Sequence, residues 1–478
     1  MADTAAPPLD LSSPRHVHLV GVGGAGISAI GIILAAMGHR VTGVDVNETS
    51  AWPTLLAAGV TPSVAPAAEL FASAVAAGAE VVAHSTAFPP SPQERASAEA
   101  AGLTVLDRAG ILAAICGARR TVAVSGTHGK TSTTAMLATL LDDAGVDPSY
   151  LVGATPVGLG RAAHWSAAGD FVVEADESDG TFLHLGATVA VVTNIDEDHL
   201  DHWGDLDAIE DGFRRFLEAA PVGVVCIDDP RGGDAPDHRA VRVAEAAGAV
   251  TVGEAEAARY RVHDVVVSHL ETTFGLCVDG VEAGPVRVGT PGRHHARNAA
   301  VAVAVAVELG VDLPTAVASV GAYRGVARRF EVLGDLRGAT VVDDYAHNPG
   351  KVRALLASAQ EAGWRRVVAV FQPHRYTRTR DLAGDFGEAL ALADLLALTD
   401  VYGAGEDPID GVDGRCLLRE VLEERPWAEV AWTPTLDDAA AWLRAVARPG
   451  DLILTVGAGD VSSLGRRLVA ADRAGEAP

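Results

Sequence analysis

What most constrains the fold of this chain is a repeated juxtaposition. A short apolar run ends in glycines or polar residues, and a stretch suited to a helix often follows. HVHLVGVGGAG, TVAVSGTHGKT, FVVEADESD and VAVVTNIDEDH show it first, and TVVDDYAHNP, VVAVFQPHRYTR, LLALTDVYGAGE and LILTVGAGD later. Parallel strands covered on both faces read as such runs, and open α/β sheets gather ligands at the carboxyl ends of their strands. The expected class is soluble α/β, with its chemistry at strand ends.

The 478 residues amount to about three domains of ordinary size. The strand-loop-helix alternation restarts near residues 121 and 340, so boundaries are expected near 118 and 333, giving domains 1–118, 119–333 and 334–478. Helices are expected over 27–37, 131–144, 297–309, 351–362 and 381–392. Between 222 and 289 the segments shorten and alternate, which predicts an antiparallel extension of the middle domain.

A net charge of −26, from 37 basic and 63 acidic residues, argues against a nucleic-acid partner or an anionic membrane surface. The four cysteines lie far apart and form no CxxC pair, which argues against zinc sites and disulfide scaffolds and fits a reducing cytoplasm. No apolar signal core or membrane-length run is found. Lysine occurs only twice, at Lys130 and Lys351.

Gly21, Gly23, Gly24 and Gly26 follow one strand and open a helix, with Asp45 ending the next strand. Glycines there permit close approach of backbone N–H groups to a diphosphate, which a helix N-terminus attracts. By itself this loop points to a diphosphate ligand and would suggest NAD, so a nicotinamide oxidoreductase is the rival class. The second loop, SGTHGKTSTT, spans Ser125 to Thr134. Backbone N–H groups of Gly126, Thr127, His128 and Gly129 can face phosphate oxygens. Lys130 can reach terminal phosphates, and Thr131, followed by Ser132, can offer a hydroxyl to Mg²⁺.

Glu174, Asp176, Glu177 and Asp179 crowd one strand end. Like charges so close call for neutralisation by a cation, and Glu174 is the preferred ligand, with an exposed acidic turn as the alternative. Asn194, Asp198, His199 and His202 follow the next strand as further ligands or phosphate contacts. Arg328 and Arg329 precede the last domain, where an arginine could meet a transferring phosphoryl group or simply form a solvated turn. In the last domain Asp344, Tyr345 and His347, then His374, Arg375 and Arg378, suit a carboxylate-bearing substrate, because guanidinium binds carboxylate in a fork.

These motifs together resemble the Mur ligases of peptidoglycan synthesis, in their alanine-adding branch. The likeness runs through GVGGAGISAIG (21–31), GTHGKT (126–131), EADESD (174–179) and NIDEDHLD (194–201). It continues in PGRHHARN (291–298), RRF (328–330), DDYAHNP (343–349), FQPHRYTRT (371–379) and VYGAGE (401–406).

The resemblance implies a Rossmann-like UDP-sugar domain, a central P-loop ATPase and a Rossmann-like C-terminal domain for the amino acid. ATP and Mg²⁺ are implied as co-substrate and cofactor, UDP-N-acetylmuramate and L-alanine as partners, and an acyl phosphate as intermediate. Lys130 would hold the ATP phosphates, Thr131 and Glu174 one ion, His199 a second, and Asn298 the adenine, with Arg329 at the transferring group. Asp45, Ser85, Thr86 and Arg108 fall at UDP-sugar positions; Tyr345, His347, His374, Arg375 and Arg378 fall at the amino-acid site. A ligase that attaches a whole tripeptide shares the early motifs, but the His-Arg-Tyr-Thr-Arg string at 374–378 favours alanine. Asn348 stands where the family often has a second His, and His295 where it often has Asn. The carbamoylated lysine of several relatives has no counterpart between Lys130 and Lys351.

Overall fold

The computed structural model describes residues 9–230 and 235–474. The chain divides into two compact units. One runs to Val265 and includes Phe274–Arg287 and Ala296–Tyr323; the other comprises Val266–Thr273, Val288–His295 and the chain from Arg324.

The first unit holds two sheets. In the smaller, five parallel strands lie in the order Thr61–Val64, Arg40–Asp45, His16–Val20, Val81–His84, Thr104–Asp107. Chain direction across the sheet reverses beside His16–Val20, the kind of switch point where open α/β sheets bind ligands. The larger sheet has ten strands, with Thr121–Ser125 between Val189–Val192 and Phe171–Glu174. Thr121–Ser125 and Val189–Val192 are buried at every residue, as the continuous apolar runs require. One apolar core joins Leu19, Ile33 and Leu55 through Ile111 and Ile115 to Phe182 and Phe213, so the two sheets share an interior.

The segment 222–289 is only partly the expected antiparallel extension. Val222–Cys226 and Val250–Gly253, joined by the helix His238–Ala247, continue the parallel sheet. Tyr260–Val267 also pairs parallel with Val250–Gly253; the departure begins after it, with Thr272–Val278 and Val281–Val288, whose tight connections to the preceding strand leave no room for a parallel crossover. The expected start of a helix at Arg297 also shifts: the helix is Arg293–Glu308, so the His-His-Ala-Arg-Asn string forms its opening turns.

The second unit carries a six-stranded sheet ordered Glu331–Leu336, Ala339–Asp344, Asp451–Val456, Arg366–Phe371, Leu395–Leu398, Glu429–Trp432. Its first pair is antiparallel and the rest parallel. Phe371, Phe386 and Leu396 pack one face, and Val368, Val370 and Leu464 the other. The expected helix over 381–392 is found as Ala383–Leu390, with a separate short helix, Tyr376–Asp381, ahead of it and broken from it at Leu382.

Candidate active site

The first glycine loop is shaped by the strand beside it. Gly21 adopts φ +78°, and the Gly23 N–H donates to Asp45 Oδ2 at 2.9 Å, while the Val46 N–H donates to Asp45 Oδ1 at 2.7 Å. Asp45 therefore acts first on the loop, with both oxygens already accepting from the backbone. Gly24 caps the helix Ala25–Ala36 without any side-chain bond, leaving that N-terminus available to an anion. Arg108 lies over it, 3.4 Å from the position of a Cβ on Gly26, and Ser85 borders Gly21 from the facing strand end. Thr86 lies exposed beside Ser85.

The second loop is more constrained. Gly126 has φ +121°, and a Cβ there would come within 2.2 Å of Thr193 Oγ1 and 2.7 Å of the Thr193 nitrogen. Asn194 clamps the loop like a base pair: its Oδ1 accepts from the His128 N–H at 2.9 Å, and its Nδ2 donates to the His128 carbonyl at 2.8 Å. Gly129, at φ +84°, caps the helix Lys130–Asp143 with no side-chain bond, so the loop's N–H groups end in an open helix N-terminus. Ser132 is buried in the first turn of that helix.

Around that N-terminus the three strand ends converge. Lys130 Nζ donates to the Gly126 carbonyl at 2.9 Å, the Thr127 carbonyl at 3.3 Å and Glu177 Oε1 at 2.7 Å. The Thr131 hydroxyl donates to Glu174 Oε1 at 2.9 Å, and the Gly153 N–H donates to Glu174 Oε2 at 2.8 Å. His199, in the left-handed region at φ +52°, places Nε2 3.9 Å from Glu177 Oε1 and 3.7 Å from Asp198 Oδ2. Burial pushes the Glu177 carboxyl above its usual range, against the opposing pull of Lys130.

The acidic cluster is thus dispersed rather than gathered on one ion. Glu174 faces Thr131 and Glu177 faces Lys130, while Asp176 accepts from the Ser178 N–H at 3.1 Å and stands 4.0 Å from Arg108. Asp179 accepts from the Thr181 N–H at 3.1 Å. Among the described residues, no group of three or more His, Cys, Asp or Glu is arranged to hold a metal. Mg²⁺ needs less from a protein, since it keeps waters and takes phosphate oxygens beside one or two carboxylates. The adjacent Thr131 hydroxyl and Glu174 carboxylate fit that demand.

Other expected residues have neighbours of their own. Asn298 lies against Gly129, with Oδ1 3.0 Å from the position of a Cβ there. His202 packs its ring edge-on to Trp203, a structural role. Arg328 sits 4.9 Å over the Tyr345 ring and donates to the Gly457 carbonyl at 2.7 Å, which ties it to its own unit. Arg329 belongs to the same unit. Asn348 caps the helix Pro349–Glu361 by accepting from the Lys351 N–H at 2.9 Å, a bond that accounts for its place there. His295 is buried, and that burial keeps its imidazole neutral.

In the C-terminal unit the expected amino-acid residues come together. The rings of Tyr345 and His347 are 4.8 Å apart, those of His347 and His374 5.9 Å, and His374 stacks on Tyr402 at 5.8 Å. Arg378 Nη1 lies 3.4 Å from His374 Nδ1, and the Arg375 N–H donates to the Tyr402 carbonyl at 2.9 Å. Burial holds both imidazoles below the usual histidine range, and Arg378 adds to that. No carboxylate of the described residues lies within ion-pair distance of Arg375 or Arg378. Next to Tyr345 in the chain, burial pushes the Asp344 carboxyl up to about 6.

Glu177, like Asp176 and Asp179, has no role of its own in the sequence reading of its acidic run, where Glu174 is the preferred ligand. Its signal was present in the spacing, three residues beyond Glu174, but its partner Lys130 lies 47 positions away.

A glycine loop that ends in a lysine at an open helix N-terminus, set between two carboxylate-bearing strand ends, defines an α/β nucleotide-binding enzyme. The chain matches the Mur ligase family catalytic domain over residues 16–120, the Mur ligase middle domain over 124–306 and the Mur ligase glutamate ligase domain over 328–459. It is 39% identical to a UDP-N-acetylmuramate–L-alanine ligase of Sorangium cellulosum, over 95% of this chain and 96% of that one. A second such ligase, from Pelotomaculum thermopropionicum, is 38% identical over 96% and 98% of the two chains. The crystal structure of the UDP-N-acetylmuramate–alanine ligase of Thermotoga maritima superposes with a TM-score of 0.77 at 26% identity, covering 97% of this chain and all of that one. This chain belongs to the Mur ligase family.

Proposed function

We propose that this chain is an ATP-dependent ligase that joins L-alanine to the lactyl carboxylate of UDP-N-acetylmuramate through an acyl phosphate, releasing ADP and phosphate in peptidoglycan precursor synthesis. The full-length likeness to alanine-adding ligases supports the substrates. The observation that carries the chemistry is Lys130 at the open N-terminus of its helix, beside the Thr131–Glu174 pair.

A carboxylate is too poor an electrophile to form an amide, so it must first be phosphorylated. The Thr127 and His128 N–H groups are given to Asn194, so the backbone N–H groups where the helix opens, from Gly129 to Thr131, and the Lys130 ammonium offset charge on the terminal phosphate oxygens as the lactyl carboxylate attacks. Thr131 and Glu174 would hold Mg²⁺, with His199 near a second ion; bound there, the metal would supply charge neutralisation on the phosphates. Gly21 to Gly26, Ser85, Thr86 and Arg108 would receive the UDP-sugar, Asp45 by holding the loop. Arg375 and Arg378, with His374, His347 and Tyr345, would receive the alanine carboxylate. The domain division at 118 and 333, the adenine contact of Asn298 and the phosphoryl contact of Arg329 belong to the same reading. No helix of the described residues is long and apolar enough to cross a membrane, which is compatible with work in the cytoplasm.

Phosphate release measured with each substrate omitted in turn tests this function. Release should require both UDP-N-acetylmuramate and L-alanine, and fall away with a tripeptide in place of alanine. Release that ignored the UDP-sugar, or hydride transfer to NAD, would overturn it.

A further inference from the structure

Glu177 is among the most enclosed acids of the chain, at 3% exposure, and the mechanism above leaves it without a task. Its Oε1 accepts from Lys130, while Oε2 is buried with no hydrogen-bond partner. The Glu177 carbonyl accepts from Trp203 Nε1 at 2.9 Å and from the Gly180 N–H at 3.3 Å, so the backbone that carries this carboxylate is held in place. An ammonium has three hydrogens, and those of Lys130 are all taken, by two loop carbonyls and Glu177. The lysine meant for a terminal phosphate is therefore already bound to an anion.

Resting on the reading of Gly126–Thr131 as the phosphate loop, we propose that Glu177 is a positioning residue that competes with the terminal phosphate for Lys130. The sign of its effect does not depend on how the loop moves. If Lys130 leaves Glu177 to meet the phosphate, the pair stabilises only the nucleotide-free state. If the contact persists, a fixed negative charge stands within reach of the phosphate oxygens and repels them. Either way the carboxylate weakens triphosphate binding, and does so most for the nucleotide whose phosphates extend furthest toward Lys130. Its use is to park the ammonium over the loop without letting ATP or ADP bind so tightly that product release stalls.

The test is calorimetric titration of ATP, ADP and AMP in EDTA, so that no divalent cation intervenes. Glu177→Gln keeps the shape and removes the charge, and should bind ATP about tenfold tighter, ADP less so, and AMP as the wild type does. Glu177→Met, which fills the volume without charge, should give the same order. Under turnover the KM for ATP should fall while that for alanine stays put. Equal or weaker ATP binding in both Glu177 variants, or an equal gain for AMP, would overturn the proposal. A wild-type protein that failed to bind ATP both in EDTA and with Mg²⁺ restored would instead count against the phosphate loop itself.

Discussion

Two glycine loops, about a hundred residues apart, open two helices of one unit, and both helices begin at a glycine with no side-chain cap. The first contains no cation of its own and borrows Arg108 from a helix that starts elsewhere. Its shape rests on a single carboxylate, Asp45. The second has Lys130 and Thr131 built in, and is clamped through both edges of the His128 peptide by Asn194. On the proposed function, the same backbone device serves two purposes. A bare N-terminus suffices to hold a diphosphate, whereas chemistry at a phosphoryl group needs a fixed ammonium and hydroxyl.

The largest break in that contrast is Lys130→Ala. Turnover should fall by about 10³-fold or more, because the charge acts on the transferring group, while the UDP-sugar still binds. The change also strands Glu177, so melting temperature should drop in the single variant and recover in Lys130→Ala/Glu177→Gln. Near-normal turnover in either variant would refute the assignment of Lys130.

Next come the glycines. Gly126→Ala would drive a Cβ into the Thr193 backbone at a φ that L residues avoid, so ATP binding should be lost and UDP-sugar binding kept. Gly23→Ala meets only the Thr49 side chain, at 2.5 Å, and Asp45 Oδ2 at 3.1 Å, which can yield. Its effect should be a smaller loss confined to the UDP-sugar. If both variants lost ATP equally in equilibrium titrations, the loops would not be separate sites.

Asp45→Asn and Asn194→Asp form a matched pair of lesser effect. Each mismatches a backbone group with a like partner, an amide N–H against an N–H in the first and a carboxylate against a carbonyl in the second. UDP-sugar affinity should fall about tenfold in Asp45→Asn and ATP affinity about tenfold in Asn194→Asp, each leaving the other ligand alone. Crossed effects would sink the division of labour.

How much of this was legible in the sequence follows from what each feature depends on. Both loops were readable because glycine, lysine and hydroxyl lie within a few residues of one another, between a strand and a helix. So was the gathering of His374, Arg375 and Arg378, which share one strand end. The dispersal of the acidic run was not, because each partner comes from a different strand or loop: Thr131 for Glu174, Lys130 for Glu177, Arg108 for Asp176. Nor was the placement of Asn298 on Gly129, fixed by a helix that starts earlier than its apolar pattern suggests. The parallel strand Val250–Gly253 was hidden for a similar reason, since four residues are too few to show a period.

The smallest expected effect lies beneath the loops, in the strands that carry them. Thr121–Ser125 is apolar apart from its terminal hydroxyls, but His16–Val20 contains His16 and His18. Thr42 Oγ1 lies 3.0 Å from His16 Nε2 and 2.8 Å from His18 Nδ1, and His18 Nε2 lies 3.0 Å from Ser73 Oγ. Burial, with the neighbouring His16, pulls His18 down to about 4 from its ordinary 6.5. The unfolded chain therefore takes up this proton at a higher pH than the folded one. The stability that neutral His18 confers is complete above about 6.5 and is lost as pH falls toward 4. Hydrogen-exchange protection of His16–Val20, corrected for intrinsic rates, should decline over that window while Thr121–Ser125 holds. His18→Gln, which keeps a donor and an acceptor without a titrating ring, should flatten the decline. Parallel loss of protection in both strands would show that the first loop rests on a support no more acid-sensitive than the second.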